Sequence, residues 1–165
     1  MKRELVIGKY TLESLTNGMY ASPLDMYREY IQNAVDSFDD AIEAGIEYSD
    51  KLRIDITINA EDRSVVIRDN GCGIKADAAI STLLDIGNSQ KSNQTARGFR
   101  GIGRLAGLSY CDKLTFKTSY KGEECCTIIE FNAKLLKDLL LPGTSESVSV
   151  EDVMDRIVVN VKPSA

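Results

Sequence analysis

Between Ser22-Pro23-Leu24-Asp25 and Gly45 the chain carries a helix whose two ends are specified by residue type. Ser22 can cap the first free amides, Pro23 suits the first helical position, and Asp25 complements the positive end of the dipole. Gly45 tolerates the left-handed conformation that stops a helix, so the pattern predicts a helix over 23–44. Within it Ile31, Val35, Phe38 and Ile42 recur at helical spacing, which predicts the core-facing stripe. Beside that stripe Glu29, Asn33 and Asp36 stand at i, i+4 and i+7 and share one face, with no Lys or Arg interleaved. Such a face is either solvated surface or the rim of a site. Glu29 can act as a base towards water, and Asn33 can offer a neutral oxygen to a hard cation such as Mg²⁺.

The rest of the chain alternates strands and helices. Strands are predicted over 52–58 and 64–68, joined by Asn59-Ala60-Glu61-Asp62 as a hairpin. A short helix over 75–86 is closed by Gly87, and the polar stretch 88–97 reads as a mobile loop. A glycine-rich turn then enters a helix over 102–108. A second hairpin, 113–119 with 125–131, turns near Lys121-Gly122, and a helix over 133–140 follows. A helical turn at 151–154 and a last strand over 156–161 complete the pattern. This order predicts one α+β domain: a two-layer sandwich whose mixed, largely antiparallel sheet is covered by helices on one face.

Composition narrows the function classes. A length of 165 residues suits one domain with a proper core, and 43% hydrophobic with 27% charged residues is ordinary for a globular protein. The net charge of −5 argues against a broad nucleic-acid-binding face. There is no histidine, and Cys72, Cys111, Cys125 and Cys126 show no CxxC spacing, so a structural zinc site is not expected. The cysteines read as small buried apolar residues in a reducing compartment. No run approaches a membrane span, and a cytoplasmic location without membrane partners is the expectation.

Two further motifs carry chemistry. Asp69-Asn70-Gly71-Cys72-Gly73 follows the apolar run Val65-Val66-Ile67. It is either a plain strand-ending turn or a place where Asp69 accepts hydrogen bonds from a base-like amine, with Gly71 and Gly73 letting backbone approach a flat ligand. Gly98-Phe99-Arg100-Gly101-Ile102-Gly103 opens the next helix, where exposed amides make an anion site. Its spacing is neither the Walker A nor the Rossmann pattern. Lys91, just upstream, is either a solvated loop lysine or a point charge for a phosphate.

The order of the three elements resembles the GHKL ATPase superfamily, which includes type II topoisomerases, the ninety-kilodalton heat-shock chaperones, histidine kinases and MutL mismatch-repair proteins. The resemblance covers 23–118 and implies the Bergerat ATP-binding fold, with ATP and Mg²⁺ as ligands. It implies that Glu29 is the general base that activates water and that Asn33 is the Mg²⁺ ligand. Asp36 corresponds to a polar contact at the nucleotide rim, and Asp69 to the acceptor for the adenine amine. Gly71 and Gly73 would line the base pocket. Gly98, Phe99, Arg100, Gly101, Ile102 and Gly103 would form the lid segment whose amides wrap the phosphates. A carboxylate at Glu29 points to hydrolysis rather than to protein phosphorylation, with a kinase-type ATP-binding domain as an alternative.

The branch stays open at this point. Gly98-Phe99-Arg100-Gly101 is similar to the MutL version, whereas Ile102-Gly103 with Cys111-Asp112-Lys113-Leu114-Thr115 is similar to the chaperone version. Thr144, after Gly143, is a candidate for the family's adenine-site threonine, and no residue clearly supplies the cation that contacts the γ-phosphate. The expectation is therefore the N-terminal ATPase module of a longer protein. It would close a lid on ATP, dimerise, hydrolyse slowly, and act on a DNA or protein client through downstream domains. A nucleotide-sensing interaction module with negligible turnover is the alternative.

Overall fold

The computed structural model describes residues 22–84, 103–140, 153–155 and, for the backbone, 158–164. Helix α1, Pro23–Glu43, begins as its residue types require: the Ser22 hydroxyl accepts from the Leu24 amide at 3.2 Å. It ends in a Schellman arrangement. Gly45, at φ +65°, donates to the Ile42 carbonyl, and Ile46 donates to the Ala41 carbonyl, each at 3.0 Å.

The buried stripe of α1 is not the predicted one. Ile42 is 66% exposed and Ile31 lies outward, while Ala34 and Ala41 are buried. Ala34 and Ala41 share their face with Tyr30 and Ser37, one helical step from Ile31, Val35, Phe38 and Ile42. On that face Tyr30 meets Gly107 and Ser37 meets Gly71, so the helix approaches main chain closely there, and small residues suit such an approach.

Strands β1, Ile54–Asn59, and β2, Ser64–Asp69, form the expected antiparallel hairpin. The Asn59 side-chain oxygen accepts from the amides of Glu61 and Asp62 at 2.9 and 3.2 Å and so fixes the turn. Helix α2 spans Ala76–Leu84, and the end predicted for it near Gly87 lies outside the described residues. The helix expected over 102–108 is present as a 3-10 helix, Gly103–Ser109, with residue 102 outside the described residues. It is short and mostly buried, and the Tyr30 phenol bonds to its backbone at Arg104 and Gly107.

Strands β3, Lys113–Thr118, and β4, Cys126–Asn132, form the second hairpin, with Gly122 at φ +93° in its turn. Helix α3, Ala133–Leu140, follows without a break, and β5, Val158–Ser164, pairs antiparallel with β4. Among the described residues every strand pairing is antiparallel and the strands form two sheets, β1–β2 and β3–β4–β5, rather than one mixed sheet. The result is an α+β fold consistent with the expected ATP-binding class.

The core gathers Leu83, Leu105, Leu108, Ile129, Phe131 and Leu136. Phe131 is fully buried and meets Phe116 edge to face at 5.9 Å, and Phe116 in turn meets Tyr30 at 6.3 Å. This aromatic row ties the sheet to α1. Phe131→Ala is expected to lower the unfolding free energy by about 3–5 kcal/mol. Ile58→Thr, at a position 71% exposed, is expected to change it by less than about 0.5 kcal/mol. Denaturant unfolding of the two variants checks the contrast.

Candidate functional site

Helix α1 carries one side of the site. Glu29 and Asp36 are half-buried and Asn33 is exposed between them, as the i, i+4, i+7 spacing requires. The Gln32 carboxamide donates to Asp36 Oδ1 at 3.0 Å, so Asp36 is held along the helix. Glu29 lies against Gly103: a Cβ added there would overlap the carboxylate, so the absent side chain lets the backbone reach Glu29. Burial raises the Glu29 carboxyl above the ordinary glutamate range, Arg28 opposes that shift, and Asp25 adds to it. Arg28 is itself engaged with Asp25 at 3.4 Å. A carboxylate held half out of water, with its affinity for a proton increased, has the character of a general base.

The other side is built by the end of β2. Asp69 pairs with Ile54 at the last step of the hairpin, and Asn70 then latches that end. Asn70 Oδ1 accepts from the Arg53 amide at 2.7 Å, and its Nδ2 donates to the Lys51 carbonyl at 3.0 Å. Asp69 Oδ1 accepts from the Gly71 amide at 2.9 Å, which turns the chain sharply after the strand and sets the carboxylate orientation. Asp69 is exposed and so open to a ligand's donor.

The loop then crosses α1 and docks on β3. A Cβ at Gly71 would collide with the Ser37 hydroxyl, and Cys72 Sγ lies 3.7 Å from that hydroxyl. Gly73, at φ +70°, lies against the Ser119 carbonyl, where a side chain would clash. Thr118 Oγ1 accepts from the Ile74 amide at 3.0 Å, and the Lys121 amide donates to the Cys72 carbonyl at 3.2 Å. Asp69, Gly71 and Gly73 are thus a built corner rather than a loose turn.

Glu29 and Ser37 are eight residues apart on one helix, about 12 Å along its axis. The two halves of the site therefore follow one another along α1, as an elongated ligand would need. Glu29, Asn33, Asp36, Asp69, Gly71, Gly73 and Gly103 are all described. Lys91, Gly98, Phe99, Arg100, Gly101, Ile102 and Thr144 lie outside the described residues. Sequence reasoning missed Ser37, Thr118 and Tyr30. Ser37 had one signal, a small polar residue following Asp36; the other two contacts are long-range and had none. A rim of Lys121 over the Tyr48 ring at 4.1 Å, and Lys75 over the Tyr120 ring at 5.1 Å, was equally invisible.

A family model described as histidine kinase-, DNA gyrase B- and HSP90-like ATPase matches residues 26–156. The chain is also similar to the chaperone protein HtpG of Acinetobacter baylyi, with 29% identity over 129 residues, covering 67% of this chain and 20% of the relative. HtpG of Halalkalibacterium halodurans is 28% identical over 132 residues, covering 70% and 21%. HtpG of Fusobacterium nucleatum is 29% identical over 140 residues, covering 72% and 23%. The chain thus spans about a fifth of the length of these curated relatives. No helix among the described residues is long and apolar enough to cross a membrane.

The Glu29 environment makes a stability prediction. A carboxyl whose folded pKa is raised stabilises the fold fully below its unfolded pKa and ceases to do so as pH rises past the folded value. Near neutral pH the charged Glu29 therefore opposes folding. Glu29→Gln is expected to raise the melting temperature at neutral pH, and the gain is expected to vanish below the ordinary carboxylate range. Thermal unfolding across pH reads this directly; a gain that grows on acidification would contradict the assignment.

Proposed function

We propose, from the premise that the chain belongs to the histidine kinase-, DNA gyrase B- and HSP90-like ATPase family, that it is the ATP-binding and slowly hydrolysing module of a chaperone-like machine. The observation that carries this reading is the pairing of a desolvated carboxylate, Glu29, against a glycine backbone with the latched Asp69 corner across the same helix. In this reading Asp69 accepts a hydrogen bond from the adenine amine while Gly71 and Gly73 let the flat base approach. The phosphates run along α1 towards Gly103, and Glu29 takes the proton of the attacking water. The protonated carboxyl then returns that proton to solvent as the site opens.

The donor set fits Mg²⁺. Asn33 offers one exposed neutral oxygen, and among the described residues no cluster of three metal-ligating side chains competes for the ion. A cation that keeps most of its waters and leans on substrate phosphates needs little more from the protein. When bound, the ion would supply positive charge to offset that of the phosphates. Asn33 would hold it, and Asp36 would orient the polar rim. Gly98 to Gly103, with Lys91, would close over the phosphates, and differential contact between open and closed states would drive ATP-dependent dimerisation in the intact protein. The relatives above are chaperone proteins, which supports the chaperone-like reading over the MutL-like one. A cytoplasmic protein client reached through further domains follows from that reading.

Two substitutions test the proposal. Glu29→Ala is expected to lower ATP turnover by about 10²–10⁴-fold while ATP binding persists. Asp69→Asn is expected to weaken ATP binding by roughly 10–100-fold, the loss of a charge-assisted hydrogen bond. Calorimetric titration and phosphate release measure both. Unchanged affinity in Asp69→Asn removes the adenine contact. ATP binding by wild type with no Mg²⁺-dependent turnover favours the nucleotide-sensing module.

A further inference from the structure

The residue after the proposed base makes the most demanding contacts on α1. The Tyr30 hydroxyl donates to the Arg104 carbonyl at 3.0 Å and accepts from the Gly107 amide at 3.0 Å. Those are the i and i+3 groups of one 3-10 turn, and the phenol bonds to both. The phenol has no room to spare. A Cβ on Gly107 would lie 2.5 Å from its oxygen and 3.1 Å from Leu114 Cδ1, so Gly107 and the hydroxyl are complementary in shape. The ring is fixed from behind by its edge-to-face contact with Phe116, which rests on the buried Phe131. A rigid α-helix therefore reaches across to grip the 3-10 helix by its own backbone groups. One residue earlier, the same helix presents Glu29 to Gly103, the first residue of the gripped segment.

We propose that Tyr30 is a positioning residue: its phenol holds the 103–107 backbone against α1 and thereby sets the distance between Gly103 and the Glu29 carboxylate. This rests on the ATP reading above, in which Gly103 faces the phosphates and Asp69 faces the base. The clamp acts on one end of the site alone. The hydroxyl bonds to the 104 and 107 backbone, whereas Asp69 is set by the hairpin end and the Asn70 latch; the ring contact with Phe116, which leads along β3 to Thr118 and the Gly73 corner, does not involve the hydroxyl. Loss of the hydroxyl should then be felt by the phosphate-bearing part of the ligand and not by the nucleoside.

The test uses the 165-residue chain with ATP in Mg²⁺ and with adenosine as probes. Tyr30→Phe keeps the ring on Phe116 and removes the hydroxyl that bonds to Arg104 and Gly107. It is expected to weaken ATP binding about tenfold and leave adenosine binding within about twofold. Gly107→Ala, whose methyl displaces the phenol without altering Tyr30, is expected to show the same selective loss. In the double variant Tyr30→Phe/Gly107→Ala the methyl meets no hydroxyl, so the second substitution should cost less than it does in wild type. Equal weakening of both ligands, or unchanged ATP affinity, overturns the clamp, as does full additivity in the double variant. A Tyr30→Phe chain that does not fold, beside a Gly107→Ala chain that binds both ligands as wild type, overturns it as well. Wild type that binds neither ligand overturns the ATP reading itself, and that result is read before any variant is made.

Discussion

Three glycines seated against three side chains of one helix hold the site in register. Glu29 faces Gly103, Tyr30 faces Gly107, and Ser37 faces Gly71; in each case the space a Cβ would need is occupied by the α1 side chain. Polar side chains can meet backbone this closely only where the partner residue has none of its own. The arrangement explains why the buried face of α1 is built from Ala34 and Ala41 rather than from its isoleucines. Small residues bring the helix axis near enough for the polar side chains beside them to touch main chain. The usual trade of apolar area for stability is made elsewhere, in the Phe116–Phe131 row and the leucines around it.

That division of labour has an electrostatic consequence. Glu29 stands at the edge of a closely packed seam rather than on open surface, so it loses part of its hydration, and among the described residues that loss outweighs the attraction of Arg28. Arg28, which opposes the shift, is shared with Asp25. The charge is therefore tolerated rather than stabilised, and a group in that condition accepts a proton more readily than an exposed carboxylate. The fold bears a small penalty at the position where the ATP reading needs a base.

Much of this was legible in the sequence, and the failures have a common cause. Ser22, Pro23 and Gly45 announced the ends of α1 because capping is local chemistry, and the two hairpins followed from turn residues in the same way. The pairing of Asp69 with Gly71 and Gly73 was readable for that reason as well, since the motif is one continuous turn. The core stripe was not. Ile31 and Ile42 outrank Ala34 and Ala41 on any hydrophobicity scale, but shape decided which face went inward. Tyr30 was passed over because its partners lie 74 and 77 residues away, and no local pattern reports contacts of that range. The 3-10 form of Gly103–Ser109 was hidden with it, because the side chain that engages its backbone belongs to another element.

The two ends of the site depend on different supports. Asp69 is fixed by the hairpin end and the Asn70 latch, whereas Gly103 is fixed by the 3-10 helix that Tyr30 grips. Their shared support is α1, met at Ser37 by one and at Glu29 and Tyr30 by the other. The β1–β2 hairpin bonds to no strand of the other sheet among the described residues, and its Ile56, Ile58 and Val65 remain exposed. A two-stranded ribbon of that kind is marginal by itself. A ligand touching only Asp69 would therefore order one support and leave the other as it was. A nucleotide long enough to reach from Asp69 to Gly103 would make the hairpin corner and the gripped segment mutually dependent, and that dependence is the differential free energy a ligand-driven switch requires.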